Sequence, residues 1–576
     1  MTASTPVGSS SIGPLRSRRG CKTCKARKVK CGQEKPHCLR CSSSGRKCEY
    51  EATTYGIFSS GTSVTISNAL SLFPDRFWRE RRAFAYYSSH AAPVIGGLDA
   101  DFWSTIVPRV CHAEPAVWDA IISISSLFES YKPFTPTHKY QDALSWYSRS
   151  VSAFRRRIEG GGVDIFMALI SCVLFICIEA LQGGSEEGLR LYCQGTELAL
   201  VLRAQIADGS VPASRAMLLE DAIVPIFSRL SIIANAQNKV QVGALVRDID
   251  RTFTPGFASL KAAREAIFVL TAETQRFQET CGQHHDSTND FHVPPELMSR
   301  QRTLLARLEN WQNAFNSLTV GLGKKNEPQQ TSTIALLLMH HQMLDVIITT
   351  CVSRFKITTD LRLQSFQTIV EQSRISLDAS ARSDGTQPPF TLDIGVGFPL
   401  WFTILRCAEP TIRRTALELL RRSSDVQGFY TQAFGASFGE AVMMVEERLA
   451  MNVTGQSSVY APRTPEALTP PPSTYTHSSR STPIPNIAGF ESQSTRLTPT
   501  ELSMRIPEEA RIRPYGIFRA KDGLPPNVQE ADVRRWNGRP DQAFLQFSRN
   551  IFDLDTECWR VIDEIAPVDI STVPKH

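Results

Sequence analysis

Apolar residues recur at helical spacing over most of the chain between residues 74 and 451. Within residues 114–131 the recurring positions are Ala116, Ala120, Ile121, Ile124 and Leu127, a repeat that predicts a helix with one apolar face. Similar segments, separated by glycine-rich breaks, cover residues 74–89, 138–158, 163–181, 186–205, 214–235, 257–280, 295–318, 331–354 and 363–380. Because alternating strand patterns are scarce, we predict a large, irregular all-α domain over residues 74–451.

The most apolar stretch covers residues 165–178 and lies between Asp164 and Glu179. It is shorter than the about 20 apolar residues that a membrane-spanning helix needs. We therefore expect a central core helix at this position and no contact with a membrane.

Polar segments divide the chain into further parts. Residues 1–15 carry no charged side chain and are rich in Ser, Thr, Pro and Gly, so we expect a disordered leader. Residues 51–73 are polar and are interpreted as a linker. Residues 452–508 are rich in Ser, Thr and Pro and too poor in apolar residues to pack. Residues 509–576 regain aromatic side chains, and we predict that they pack back as a C-terminal extension of the helical domain.

Several threonines in the Ser/Thr/Pro-rich segment stand directly before a proline. These threonines are candidate sites of proline-directed phosphorylation: Thr464, Thr469, Thr482 and Thr498. The alternative interpretation is a passive loop.

Six cysteines within residues 21–48 follow the spacing C-x2-C-x6-C-x6-C-x2-C-x6-C: Cys21, Cys24, Cys31, Cys38, Cys41 and Cys48. The last three repeat the first three with an offset of 17 residues. A structural zinc takes four tetrahedral ligands, so two zinc ions need eight ligand positions from six thiolates. Two thiolates must then bridge both metals, and the repeat favours Cys21 and Cys38. We predict two Zn²⁺ ions at this site.

Two other interpretations of the cysteine pattern are three disulfides and a single four-cysteine site with two spare thiols. Disulfides are typical of small secreted domains, whereas we expect no signal peptide here, and a single site leaves the repeat unexplained. The other cysteines lie mostly on apolar helical segments and are expected to be reduced, buried thiols: Cys111, Cys172, Cys177, Cys193, Cys281, Cys351, Cys407 and Cys558.

Positive charge is concentrated around the cysteines. Residues 16–48 carry a net charge of +11, the whole chain carries +6, and the remainder therefore carries −5. A compact, strongly basic module is typical of phosphate binding. Arg18 and Arg19 belong to a basic arm directly before the first cysteine, which would contact phosphates or contribute to nuclear import.

The two halves of the cysteine repeat differ in their basic residues. KARKVK follows the second cysteine, whereas only SSSGRK follows the fifth. Residues 22–30 lack Gly and Pro, so we expect a short helix there. Lys and Arg side chains read guanine in the major groove, or they contact phosphate and fix position only.

The stretch 21–48 resembles the DNA-binding domain of the fungal binuclear zinc-cluster (Zn2Cys6) transcription factors, on the cysteine spacing, the basic run and the Lys35-Pro36 loop. The resemblance implies a pseudo-symmetric pair of short helices around two zinc ions, with Cys21 and Cys38 bridging. It further implies that the basic segment reads a CGG-type triplet in double-stranded DNA. The implied base reader is Lys28 with Arg27 beside it, and Lys25 and Lys30 are implied phosphate contacts.

Three further stretches resemble the helical fungal-specific transcription factor domain: residues 102–127, 179–200 and 405–420. This resemblance implies a regulatory all-α module. Residues 51–73 show no heptad run of the kind that forms a coiled coil, so a homodimer would form through the helical domain.

The sequence contains no P-loop, GxSxG, HExxH or dinucleotide-binding glycine motif in a context that would support catalysis. We predict that the chain is not an enzyme but a nuclear, zinc-dependent, sequence-specific regulator of transcription by RNA polymerase II, which contacts the transcription machinery or co-regulators. The alternative is a zinc-stapled protein- or RNA-interaction module attached to a helical ligand-sensing domain. RNA binding is disfavoured because no aromatic residue for base stacking lies between the first and last cysteine.

Overall fold

The computed structural model describes residues 21–29, 31, 38–48, 74–130, 138–162, 164–238, 256–287, 293–322, 327–393, 395–454, 506–536, 541–553 and 555–569. The chain divides after Pro74 into two compact units. The predicted fold class is confirmed, because a small cysteine cluster precedes a large, mostly helical unit. The predicted leader, the linker 51–73 and residues 455–505 of the segment 452–508, including its four threonines, lie outside the described residues.

The small unit contains two short helices, α1 (Lys22–Ala26) and α2 (Leu39–Ser42), which contact each other. Among its described residues the buried ones are cysteines, with Val29 and Cys31 packed against them. A unit of this size, with sulfur atoms for a core, gains little from apolar burial. Its folding free energy must therefore come from whatever its thiols bind.

The larger unit is built from helices that pack against one another. They are α3 (Pro74–Tyr86), α4 (Ala92–Gly96), α5 (Val107–Cys111), α6 (Pro115–Glu129), α7 (His138–Glu159), α8 (Ile165–Gln182), α9 (Ser185–Ala207), α10 (Ala213–Leu218), α11 (Val224–Asn238), α12 (Leu260–Ser287), α13 (Pro295–Leu322), α14 (Pro328–Thr350), α15 (Leu363–Ser380), α16 (Gly397–Arg406), α17 (Pro410–Arg422), α18 (Gln432–Thr454) and α19 (Glu530–Arg534). Short π-helical turns at Tyr87–Ala91, Asp101–Ile106 and Leu219–Ile223 join some of them.

Helix α8 lies in the core of the larger unit, as its composition predicts. It begins where the Asp164 carboxylate accepts a hydrogen bond from the Phe166 backbone N–H, and it ends at Gly183, whose φ of 80° is left-handed. Helices α8 and α14 are long and apolar enough to cross a membrane, but 72% of α8 and 50% of the apolar window of α14 are buried inside the unit. Both helices contribute buried side chains to the main core.

Two small sheets complete the larger unit. Strands β1 (Phe390–Thr391), β2 (Val426–Gln427) and β3 (Tyr430–Thr431) form the first. The second, which we call the C-terminal sheet, is antiparallel in the order β4 (Ile512–Arg519), β5 (Ala543–Asp553), β6 (Cys558–Val568).

The C-terminal sheet packs against helix α18 through Phe438, Val442 and Val445 on the helix side. The strands of residues 512–568 therefore share a core with helix α18. In β5 both faces of the first half are buried, so the strand lacks the alternation of apolar and polar residues that would have identified it.

Polar contacts also attach the C-terminal sheet, and they converge on residues 354–360, which we call the anchor segment. The carboxylate of Glu508 accepts hydrogen bonds from the backbone N–H groups of Lys356 at 3.0 Å and Ile357 at 2.7 Å. The Arg511 guanidinium binds both carboxylate oxygens of Asp360, at 3.0 and 2.6 Å. Since these partners are about 150 residues apart in sequence, the chain closes on itself here.

Candidate metal centre and DNA-binding surface

All six predicted ligand residues come together in the small unit. Their sulfur atoms form two groups of four, and within each group the sulfurs lie within 4.8 Å of one another: Cys21, Cys24, Cys31 and Cys38 in the first, and Cys21, Cys38, Cys41 and Cys48 in the second. The two groups share Cys21 and Cys38, the pair predicted to bridge. Their bridging role itself stays a prediction.

The sulfur–sulfur distances fit a zinc-thiolate centre. Four sulfurs at about 2.3 Å from a tetrahedral zinc would be about 3.8 Å apart. The Cys21–Cys38 and Cys21–Cys41 pairs are at 3.8 Å, and the Cys24–Cys38 pair is at 3.6 Å. A contact of 3.8 Å between Cys24 and Cys41 joins the two groups. Six thiols at these distances, without a disulfide among them, fit two zinc ions.

The 17-residue repeat is visible in the backbone as well as in the sequence. The backbone N–H of Cys21 donates to the Cys31 sulfur at 3.4 Å, and the equivalent N–H of Cys38 donates to the Cys48 sulfur at 3.3 Å. These bonds orient the third cysteine of each half towards the first. The two halves therefore present their sulfurs in the same way.

Each half also ends its helix with a left-handed residue at the same position of the repeat. Lys28 has a φ of 57° and Gly45, 17 residues later, has a φ of 61°. The next backbone N–H then bonds back five residues, from Val29 to the Cys24 carbonyl at 3.1 Å and from Arg46 to the Cys41 carbonyl at 3.0 Å. This is the usual way to satisfy the last carbonyls of a helix.

The protonation of the thiols differs between the shared and the unshared cysteines. Burial raises the pKa of the Cys24 and Cys41 thiols. Burial acts in the same direction at Cys21 and Cys38, but hydrogen bonds donated by the backbone N–H groups of Cys24 and Cys41 help to lower the pKa of both overall. Zinc binds thiolates, so metal binding must release protons from this buried cluster.

The predicted DNA-contacting residues are only partly described. Arg27 and Lys28 are exposed in the turn after α1. Lys25 lies on α1 itself. Lys30, Arg18 and Arg19 lie outside the described residues. Lys22, at the start of α1, is exposed as well.

Two contacts between the halves were not predicted. The Thr23 hydroxyl donates to the Lys47 carbonyl at 2.7 Å, and the Arg27 guanidinium donates to the Ser44 hydroxyl at 3.2 Å. Ser44 also donates to the Arg40 carbonyl at 2.7 Å. The signal for the second contact was the 17-residue offset, since Arg27 and Ser44 occupy equivalent positions of the repeat.

Residues 19–54 match the fungal Zn(2)-Cys(6) binuclear cluster domain. The match covers all six cysteines, and together with the sulfur geometry it identifies this part of the chain as one that binds two zinc ions.

The chain is also similar to curated fungal proteins. It is 23% identical over 374 residues to the "Aspercryptin biosynthesis cluster-specific transcription regulator atnN" of Emericella nidulans, covering 58% of this chain and 59% of that protein. It is 21% identical over 368 residues to the "Transcription regulator lscL" of Purpureocillium lilacinum, covering 56% of this chain and 84% of that protein. A shorter match, 29% identical over 136 residues, joins 23% of this chain to 19% of the "Adhesion and hyphal regulator 1" of Candida albicans.

The chain thus spans about three fifths of the length of the Emericella nidulans regulator and less of the Candida albicans one. No solved structure matches it.

Proposed function

We propose that the protein is a nuclear, zinc-dependent, sequence-specific DNA-binding regulator of transcription by RNA polymerase II. The observation that carries this proposal is the small unit: six converging thiols and an exposed basic turn, within a stretch that matches the binuclear cluster domain. The similarity to proteins named as transcription regulators supports the same function.

The zinc ions would be held by the six cysteines, with Cys21 and Cys38 shared. Zinc would supply the folding free energy of a unit whose described residues bury little besides cysteines. The chain itself determines where the basic side chains lie, because α1 carries Cys24 of the cluster and the turn after α1 carries Arg27 and Lys28.

Recognition of a CGG-type triplet is assigned to the first half of the repeat. Lys28 is the proposed base reader and Arg27 its neighbour, since a cation at the end of a short helix can reach guanine O6 and N7 in the major groove. Lys25, Lys30, Arg18 and Arg19 are proposed to contact phosphates. These contacts position the domain and carry no sequence information directly.

The larger helical unit is the proposed regulatory part. It would bind co-regulators or the transcription machinery, and a homodimer would form through it. Thr464, Thr469, Thr482 and Thr498 are proposed sites of proline-directed phosphorylation. Phosphopeptide mapping from growing and stressed cells tests these sites, and finding all four unmodified in both conditions would refute them.

The proposed function is tested by selecting DNA from a random pool with the full-length protein, with and without a zinc chelator. We expect enrichment of CGG-containing DNA that disappears on chelation. Paired triplets at a fixed spacing would support the homodimer, and single triplets would contradict it. Enrichment of RNA or of protein partners, without any enriched DNA, would favour the interaction-module alternative.

A further inference from the structure

Two thiols of the larger unit contact each other. Cys281 lies on α12 and Cys351 directly follows α14, and their sulfur atoms are 3.9 Å apart although 70 residues separate them in sequence. In this contact the Cys351 thiol donates a hydrogen bond to the Cys281 sulfur. Nothing in the local sequence relates the two cysteines, so each by itself is expected to be an ordinary buried thiol.

Neighbouring contacts hold the two thiols in place. His285 lies one helical turn after Cys281 on the same face of α12, and its Nε2 bonds the Val352 carbonyl at 3.2 Å. From α13, the buried Gln301 amide donates to the Ile348 carbonyl at 2.9 Å. The end of α14 is therefore fixed against α12 and α13 on both sides of Cys351.

The two thiols differ in acidity and in access. The hydrogen bond from Cys351 outweighs burial and, with the positive charge of Arg300, lowers the pKa of Cys281. The same bond and burial raise the pKa of Cys351. Cys281 is 1% exposed, whereas Cys351 is partly exposed. The pKa of the Cys281 thiol is thus the lower of the two, and Cys351 is the more exposed sulfur.

We propose that Cys281 and Cys351 form an oxidant-sensitive dithiol, which hydrogen peroxide converts into a disulfide between α12 and the end of α14. The Cys281 thiol gives up its proton, its sulfur attacks one peroxide oxygen, and the O–O bond breaks, so that Cys281 becomes a sulfenic acid. The hydroxide that leaves takes up that proton and becomes water. The Cys351 thiol then attacks the Cys281 sulfur, the S–O bond breaks, and water leaves. Two thiols and one peroxide yield one disulfide and two waters.

The disulfide would also move the anchor segment. A disulfide joins sulfurs at about 2 Å, so the two atoms must approach each other by about 2 Å. Arg354 lies three residues after Cys351. Its carbonyl accepts hydrogen bonds from two residues of the C-terminal sheet, Arg513 and, at 3.3 Å, Asn550. Oxidation is therefore expected to change how firmly the C-terminal sheet is attached.

The first test treats the zinc-loaded full-length protein with hydrogen peroxide and maps thiols by alkylation and mass spectrometry without reduction. We expect a peptide linked through Cys281 and Cys351. During peroxide treatment, both cysteines should lose their reactivity with the alkylating reagent at least about tenfold faster than Cys193, a single thiol whose pKa is raised by burial. The proposal is overturned if both thiols remain free at a peroxide dose that already releases zinc from the cluster.

Single substitutions separate the two roles. In Cys351→Ser, Cys281 should stop at the sulfenic acid and be trapped by dimedone, whereas Cys281→Ser should abolish both the linked peptide and the adduct. Arg300→Gln should slow oxidation of Cys281 roughly two- to fivefold. Cys193→Ser is the control and should leave the linked peptide unchanged. A dimedone adduct equally strong at Cys193 would contradict the assignment.

Hydrogen exchange tests the coupling to the C-terminal sheet. After peroxide treatment, amides of β4 and β5 should change their protection in the wild type but not in Cys351→Ser. If the disulfide forms and the exchange of these strands stays the same, the dithiol is not coupled to the sheet.

Discussion

Lys28 combines two demands at one residue. Its backbone is left-handed, with a φ of 57°, a conformation that costs a residue with a Cβ about 1–2 kcal/mol. The equivalent position of the second half is Gly45, which avoids this cost. A lysine at a position that favours glycine is explained if its side chain is needed for binding DNA.

Substitution of Lys28 by glycine tests this interpretation. Lys28→Gly should retain two zinc ions and the fold, because glycine suits the left-handed turn. It should also lose about 1–3 kcal/mol of discrimination between CGG and altered triplets. The measurement is competition binding with matched and mismatched duplexes, alongside zinc content. Arg46→Ala is the matched control from the second half, which should weaken binding to all duplexes alike. Unchanged discrimination in Lys28→Gly would remove Lys28 as the base reader.

The grouping of the six cysteines was predictable at this scale because they are local. All six lie within residues 21–48, and a duplicated spacing with four ligands per zinc leaves few arrangements. The left-handed turn at Lys28 was not predictable, since lysine does not mark such a turn in the way that Gly45 does. The contact between Cys281 and Cys351 was not predictable either, because it depends on how α12 and α14 pack.

Three helices of the larger unit meet where a side chain has no room. A Cβ added at Gly195 on α9 would lie 2.5 Å from the Phe227 ring on α11 and 2.8 Å from the Cys172 sulfur on α8. Close approach of this kind allows α9 to pack against both of its neighbours. The glycine is therefore required by packing, at a helical position where glycine otherwise weakens the helix.

Gly195→Ala should destabilise the larger unit by about 1–3 kcal/mol through overpacking. The matched control is Gly282→Ala on α12, where the structure places no described heavy atom within 4 Å of the added Cβ. That change should stabilise by up to about 1 kcal/mol through helix propensity. Urea unfolding of both variants measures the difference, and the same sign of change in the two would contradict the packing argument.

Helices with a long apolar sequence were predictable, whereas strands that form by pairing with distant residues were not. Helix α8 follows from residues 165–178, which are apolar almost throughout, with Asp164 in front as a cap. The strands of the C-terminal sheet depend on partners elsewhere: Ile512 pairs with Arg549, and Ala543 pairs with Val568. No local pattern specifies such partners, so the sequence did not predict these strands.

At the scale of the whole molecule, the polar contacts of the anchor segment attach the C-terminal sheet at a cost in desolvation. Lys356 is 7% exposed, its ammonium donates to the Ile512 carbonyl, and it lies 4.0 Å from the Glu446 carboxylate. Burial lowers the pKa of Lys356 to about 7, although the Glu446 charge acts in the opposite direction. The protonated lysine is therefore disfavoured in the folded chain.

This lowered pKa predicts how stability depends on pH. Above about pH 7 the folded lysine is largely neutral, whereas the unfolded one stays protonated up to about pH 10.4. The unfolded state thus binds more protons at this residue in this window, so the contribution of Lys356 to stability rises with pH. Lys356→Met should reduce that rise between pH 7 and 9, measured by urea unfolding, while Lys521→Met, which removes an exposed partner of Asp541, should not. Equal slopes in wild type and Lys356→Met would refute the lowered pKa.

The Arg511–Asp360 pair is the contact whose loss should detach the C-terminal sheet. Both side chains are buried, 3% and 7% exposed, so Arg511→Leu leaves a buried carboxylate without its cation, at a cost of about 3–5 kcal/mol. Hydrogen exchange should then show lost protection in β4 and β5 and retained protection in α8. Arg534→Leu, which breaks an exposed pair with Glu530, should leave both regions protected.

The double variant Arg511→Leu/Asp360→Leu shows whether Arg511→Leu loses protection because an attachment is lost or because the Asp360 carboxylate is left buried without its cation. Removing both partners also removes the buried charge, so the double variant should recover part of the protection of β4 and β5. Protection in the double variant that is as low as in Arg511→Leu alone would mean that the other hydrogen bonds of Arg511 attach the sheet. Those bonds run to the Ile506 carbonyl at 2.8 Å and the Lys356 carbonyl at 3.1 Å. The C-terminal sheet would then be held through backbone carbonyls rather than through the ion pair.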